Sequence, residues 1–248
     1  MYLKHYAKRI AKDILIRFPK RVIRFFEYLG EFFRFRNMNK KRSKVQFRDA
    51  FPCLKDKLQT TPFDHHYTYH PAWAARILAK TRPDLHVDIS SILSFNTVVS
   101  AFIPVKFYDY RPADLNLSNL ESGFADLKQL SFTENSIQSL SCMHTIEHIG
   151  LGRYGDELDA SGDLKAIAEL KRVLMPGGDL LFVTPVGKSK IEFNAHRIYS
   201  FEQIMEYFSP LTLKEFSLIP DDGGIIENAS PQLVAQQQYG CGCFWFKK

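Results

Sequence analysis

The sequence predicts an α/β domain on a mostly parallel sheet, preceded by a basic helical arm. Three observations carry this. Residues 124–186 alternate between strand-like and helix-like patterns. Asp88 and Asp109 close two strand-like runs 21 residues apart, the length one strand–helix–strand unit needs. The net positive charge resides in the first 48 residues.

The alternation starts before this run. From Phe63, FDHHYTYHPAWAARILAK places three histidines and two tyrosines just before a helix, with Pro71 near its first turn. LHVDIS (85–90) reads as the first buried strand. A short helix follows at about Leu93–Ala101, and VKFYDY (105–110) is the second strand. Next come a short strand near Gly123 and a buried strand at Ser139–His144. A helix at about Leu164–Leu174, a Pro-Gly-Gly stop and another strand at about Leu180–Val186 complete the run. GKSKIEFNAHRIYSFEQIMEYF reads as a basic loop running into a helix. LTLKEFSLI and CGCFWF are the last strands, with PDDGG turning between them. Ligands of such sheets bind beyond the carboxyl ends of the strands. Asp126, His144, Glu147 and His148 all fall at or near such ends.

Composition bounds the rest. Residues 1–48 hold fifteen Lys or Arg against three acids, +12, and the remainder carries −6, so the basic balance belongs to the arm. The chain is expected to divide into an arm and linker (1–60) and an α/β domain (61–248), with a basic linker at Asn37–Lys44. Leu3, Tyr6, Ala7, Ile10, Ile14, Val22, Phe26, Leu29 and Phe33 recur at helical spacing among Lys and Arg, and Pro19 divides them into two helices. This amphipathic face suits an anionic membrane surface (residues 1–36) or docking on protein; no nucleic-acid motif accompanies the charge. Four cysteines form no disulfide framework, and Cys241 and Cys243 share one face of a strand as core residues. With no secretory signal and no membrane span, the expected location is the cytoplasm, with peripheral membrane attachment through the arm as the variant.

Several segments resemble class I S-adenosylmethionine-dependent methyltransferases: FADLKQLSF, SIQSLSCM, TIEHI, ELKRVLMPGG and His196-Arg197 before YSFEQI. HYTYHPAWAARILA, HVDISS, FYDYRPADL, SCMHTIEHIGLGRYGD and FNAHRIYS further resemble an uncharacterised methyltransferase-like family of nematodes and bacteria. The resemblance covers roughly residues 63–248. It implies a Rossmann-like methyltransferase fold, a mostly parallel seven-stranded sheet with helices on both faces. It also implies S-adenosylmethionine as cofactor, with Asp109 on the ribose, Asp126 and Leu127 at the adenine, and Asp88, Ser90 and Ser91 at the loop beside the methionine moiety. That loop departs from the family pattern. DISSILSFN stands where glycines are usual, no glycine occurs between Gly30 and Gly123, and serine admits positive φ poorly. Either serine hydroxyls help to hold the cofactor, or the fold persists without it.

On the acceptor side, His144 and His148 leave the fourth strand where a neutral imidazole can take an alcohol proton, with Glu147 between them. Arg153 and Tyr154 lie in a Gly/Asp-rich loop (150–163) long enough to bind an acceptor or act as a lid, with Asp163 capping the next helix. Lys188, Lys190, His196 and Arg197 form a basic mouth for an anionic acceptor. The expected reaction is methylation of a small polar or glycan acceptor, oxygen favoured. The alternatives are a non-catalytic binding protein with a degenerate loop and a zinc hydrolase through His144-x-x-Glu147-His148, which needs both histidines on one helix. No resident metal is expected in the favoured reading.

Overall fold

The computed structural model describes residues 18–38 and 43–248. The first arm helix and the middle of the basic linker lie outside them. The chain divides into two compact units between Pro62 and Phe63.

In the first unit, α1 spans Phe18–Met38, with Pro19 in its first turn, where the missing N–H costs nothing. Phe32 packs edge-on against Phe47 at 5.7 Å, whereas Phe26 and Phe33 of the expected apolar stripe are exposed. Among the described residues no helix is long and apolar enough to cross a membrane.

The second unit is α/β. Its elements are α2 (His65–Thr81), β1 (His86–Ile89), α3 (Leu93–Val99), β2 (Val105–Asp109), β3 (Leu120–Phe124) and β4 (Ile137–Met143). There follow α4 (Gly162–Val173), β5 (Leu174–Val186), β6 (Lys190–Glu192), β7 (His196–Ile198), α5 (Phe201–Phe208), β8 (Thr212–Ile219) and β9 (Gly240–Lys247). Seven strands form one sheet in the order β3-β2-β1-β4-β5-β9-β8. β1 to β5 run parallel; β9 lies antiparallel between β5 and β8.

Strand alternation builds one core on each face. Leu180, Phe182, Phe244 and Phe246 join Ile167 of α4 and Phe208 of α5. Leu181, Val183, Cys241 and Cys243 join Trp73, Ile77 and Leu78 of α2 and Phe95 of α3. Phe182 and Phe208 meet at 4.5 Å and Phe208 stacks on Phe246 at 4.8 Å. Each such ring contributes roughly 1.5–3 kcal/mol by leaving water.

Three local expectations are corrected. α2 begins six residues before Pro71, because Asp64 accepts the Tyr67 amide at 3.0 Å and caps the helix there. The five aromatic residues before Pro71 therefore lie on the helix. Pro176-Gly177-Gly178 does not end a segment but forms a bulge within β5, where the register with β4 slips between Ile137 and Ser139. A Cβ on Gly178 would meet the Gln138 and Ile137 carbonyls at 3.0 and 3.1 Å, so only glycine fits there. The expected basic loop after β5 contains the hairpin β6–β7, too short and exposed for a strand pattern to register in sequence.

Candidate functional site

From β1 the chain moves outward to β2 and β3 and then returns to pair β4 with β1. At this reversal the carboxyl ends diverge, and a cavity of about 430 Å³ opens there. Ser90 and Ser91 line it from the β1–α3 turn, Asp109 from the end of β2, and Asp126 and Leu127 from the turn after β3. His144, His148 and Tyr154 line it from beyond β4. Ligand sites of this size and position are usual in open α/β sheets.

The glycine-less turn is the first departure from expectation. Ser90 adopts φ 60°, the left-handed conformation a glycine would supply. Its amide donates to the Tyr108 carbonyl at 2.7 Å, and its own carbonyl accepts from Thr145 Oγ1 at 2.9 Å. Ser91 Oγ accepts from the Met143 amide at 3.0 Å. The Ser90 hydroxyl donates to the Tyr108 carbonyl at 3.4 Å, so both serine hydroxyls bond within the protein, and surrounding bonds hold the strained turn in place.

Asp88 is the second departure. It is fully buried and does not line the cavity. Oδ1 accepts from the Ser91 amide at 3.0 Å and from Asn96 Nδ2 at 2.9 Å, while Oδ2 accepts from the Ser141 hydroxyl. Ser141 thereby spends its proton on Asp88, so its oxygen accepts from His86 Nε2 at 2.8 Å; His86 Nδ1 then accepts from the Ser139 hydroxyl at 2.8 Å. Burial raises the Asp88 carboxyl pKa against these hydrogen bonds. Asp88 organises the turn from behind the cavity wall.

Asp109 and Asp126 do reach the cavity. Asp109 Oδ1 accepts from the Arg111 amide at 2.7 Å, and Asp126 Oδ1 from the Lys128 amide at 2.9 Å. The Asp126 turn is braced from α4. Glu169 accepts from the Leu130 amide at 2.7 Å, and Arg172 donates to the Leu130 and Phe132 carbonyls at 2.9 Å each.

Beyond β4 the chain leaves the strand at His144, φ 57°, and enters a 3-10 turn at Ile146–His148. His144 and His148 therefore do not share a helix face, and the helical zinc-hydrolase motif is not formed. Instead Glu147, 1% exposed, places Oε1 2.9 Å from His144 Nδ1 and 3.8 Å from His148 Nε2. Burial would raise the Glu147 carboxyl, but the hydrogen bond from His144 and the two imidazoles outweigh it and hold it below its ordinary value. His148 Nδ1 lies 2.7 Å from the Ala195 carbonyl, which only accepts, so Nδ1 carries the proton and Nε2 the lone pair. Arg153 Nη1 approaches the same Nδ1 at 3.3 Å but donates to the Ala195 carbonyl at 2.9 Å. Burial lowers the His148 pKa below its ordinary value, so the ring is neutral at pH 7.

The expected basic mouth is not assembled. Arg197 is buried; it donates to the Ile149 carbonyl at 2.7 Å and pairs with Asp163 at 3.5 Å. Asp163 does not cap α4 but accepts from Tyr199 Oη at 2.9 Å. His196 packs on Tyr239 and faces Glu192, Lys190 pairs with Glu192, and Lys188 is exposed; none of the four lines the cavity. Arg153 also stands off the cavity, its guanidinium 5.1 Å over the Tyr154 ring; Arg111 lies over the same ring at 4.8 Å. Sequence reasoning missed Thr145 and Arg111 as lining groups and took Cys241 for plain core. Cys241 Sγ lies 3.3 Å from His144 Nε2, a contact across 97 residues of chain with no local signal.

The same fold recurs in solved structures. NodS of Bradyrhizobium japonicum WM9, an N-methyltransferase in complex with S-adenosyl-L-homocysteine, superposes with a TM-score of 0.53 at 14% identity, over 79% of this chain and 91% of that one. The domain has the class I methyltransferase fold. A candidate methyltransferase of Bacillus halodurans C-125 matches this fold with a TM-score of 0.52 at 13% identity, over 72% of this chain and 98% of its own. The 1,6-didemethyltoxoflavin-N1-methyltransferase of Burkholderia thailandensis matches with a TM-score of 0.52 at 10% identity, over 73% and 78% of the two chains. Within the methyltransferase-fold domain, residues 116–211, from before β3 to beyond α5, match the family model described as Caenorhabditis protein of unknown function, DUF268. No curated protein matches the chain in sequence.

Proposed function

We propose that the domain transfers a methyl group from S-adenosylmethionine to a small polar acceptor, oxygen being the favoured atom and a glycan one candidate class. The observation that carries this is the cavity at the β1/β4 reversal, with carboxylates at the ends of β2 and β3 on one side and a neutral histidine on the other. The residues present fit the cofactor. The left-handed conformation of Ser90 keeps the turn tight, and Ser91 has its hydroxyl tied to Met143. Asp109 would hold the ribose hydroxyls, and Asp126 with Leu127 the adenine. When bound, S-adenosylmethionine supplies an electrophilic methyl group on a sulfonium.

The protein's own part is orientation and proton removal. His148 presents an unprotonated Nε2 and receives the acceptor proton there. Glu147, 3.8 Å away, stabilises the imidazolium that forms. His144 turns its Nε2 to Cys241 and serves to hold Glu147.

Calorimetric titration of the full chain with S-adenosylhomocysteine tests the reading. Micromolar binding, about 8 kcal/mol, is expected, with loss of that affinity in Asp109→Ala. Absence of binding overturns the donor assignment; equal affinity in Asp109→Ala overturns the role of Asp109. Labelled donor offered with a panel of hydroxylated small molecules and glycans then identifies the acceptor.

A further inference from the structure

His144 also meets two side chains, His66 and Cys241, that methyl transfer does not use. His66 lies in the first turn of α2, His144 just beyond β4, and Cys241 on β9. One potential ligand atom from each lies within 4.8 Å of the others. Cys241 Sγ and His144 Nε2 are 3.3 Å apart. Tetrahedral metal–sulfur and metal–nitrogen bonds put neighbouring sulfur and nitrogen ligands about 3.5 Å apart, so this pair already stands at ligand spacing. The His66 ring stacks on His144 with centroids 5.4 Å apart.

The surroundings have the features of a metal's outer shell. His144 Nδ1 donates to Glu147, which orients the ring and leaves Nε2 toward Cys241; a carboxylate behind an imidazole is the common support of a metal-bound histidine. Glu147 Oε2, fully buried, has no hydrogen-bond partner among the described residues. The Glu147 charge is thus only partly offset, and a cation held by His144 would offset it further. His70 packs edge-on to His144 at 5.0 Å, and its buried Nε2 also lacks a partner. A thiol–imidazole hydrogen bond accounts for the Cys241–His144 contact alone; it accounts neither for the convergence of His66 nor for the orphaned carboxylate oxygen.

The geometry points to a mononuclear site for a borderline-soft divalent cation, Zn²⁺ foremost, ligated by His66, His144 and Cys241 with Glu147 behind His144. Two imidazoles and a thiolate select such an ion over Mg²⁺ or Ca²⁺, which prefer oxygen. Three protein ligands leave a fourth position for a solvent or acceptor atom. The site joins α2 to the exit of β4 and to β9. It shares no ligand with the helical H-x-x-E-H arrangement except His144, and it does not depend on the donor reading.

The test uses full-length protein stripped with a chelator, then titrated with Zn²⁺ against a chromophoric competitor and, separately, with Co²⁺. One ion per chain is expected in each case, and the Co²⁺ form should show a sulfur-to-cobalt charge-transfer band. Cys241→Ser should lose that band, whereas Cys243→Ser should keep it. Glu147→Gln should weaken Zn²⁺ binding about 10- to 100-fold, as loss of an outer-shell partner does. Far-UV circular dichroism of the metal-free variants separates loss of the site from loss of the fold. Sub-stoichiometric binding by the parent, a Co²⁺ spectrum without the sulfur band, or parent-like binding by a folded Cys241→Ser overturns the proposal.

Discussion

Ser90 shows how a residue unsuited to a conformation can still be held in it. A non-glycine residue in the left-handed region costs about 1–2 kcal/mol. Here that cost is met by the backbone bonds to Tyr108 and from Thr145. Ser90→Gly relieves the strain but gives the unfolded chain more freedom, so a net change within about 1 kcal/mol is expected in urea denaturation. Ser90→Val, with a β-branched side chain at the same φ, should lose about 1–3 kcal/mol. Equal stability of the two would show that the turn relaxes out of the left-handed region. His148 makes the complementary case, because its role is chemical. His148→Asn should keep S-adenosylhomocysteine affinity and lower methyl transfer about 10²- to 10⁴-fold. The parent's rate should fall only below about pH 6.5, since burial moves the His148 pKa downward and the base stays unprotonated above it. Unchanged transfer in His148→Asn would remove it from the reaction. Asp109, Asp126 and His148 were legible as residues of the cavity lining because each sits at or near the end of a local strand pattern. Asp88 and Arg197 were not, since the same residue types turn inward once their strands have neighbours.

At the scale of elements, α1 and α2 place aromatic residues in opposite settings. On α2, Trp73, Ile77 and Leu78 bury against the sheet, and Trp73 Nε1 donates to Glu215 at 2.8 Å. On α1, Phe26 and Phe33 are exposed among Lys and Arg. Such a helix gains from an anionic lipid surface through buried apolar area and about 1 kcal/mol per basic residue. The full chain is therefore expected to float with anionic vesicles, and Phe26→Glu with Phe33→Glu to stay in the aqueous fraction. Flotation unaffected by the double substitution would sink the membrane-surface reading. The start of α2 was misplaced in the sequence because Pro71 is a stronger visible signal than the Asp64 cap. The β6–β7 hairpin was invisible because three-residue strands carry too little periodicity.

The whole molecule carries a titration that no single element explains. His86 is fully buried on β1 between Ser139 and Ser141 of β4, and burial pushes its pKa down to about 3. In the unfolded chain the ring takes a proton near pH 6.5, whereas the folded chain refuses it until about pH 3. Its contribution is complete above pH 6.5 and is lost as the pH falls through that window, about 2 kcal/mol at pH 5 relative to neutral pH. Urea midpoints at pH 7 and pH 5 should differ accordingly, and the difference should shrink in His86→Gln; a midpoint independent of pH would contradict this. The sequence by itself determined the α/β class, the parallel run from β1 to β5 and the carboxylates at the ends of β2 and β3, because hydrophobic periodicity and strand ends are local properties of the chain. Only the tertiary structure decided the insertion of β9 between β5 and β8, the buried chain from Ser139 to Asp88, the inward turn of Arg197 and the meeting of His66, His144 and Cys241. Those depend on which strands become neighbours and on which side of each strand faces a helix. Long-range packing settles both, and no window of sequence contains them.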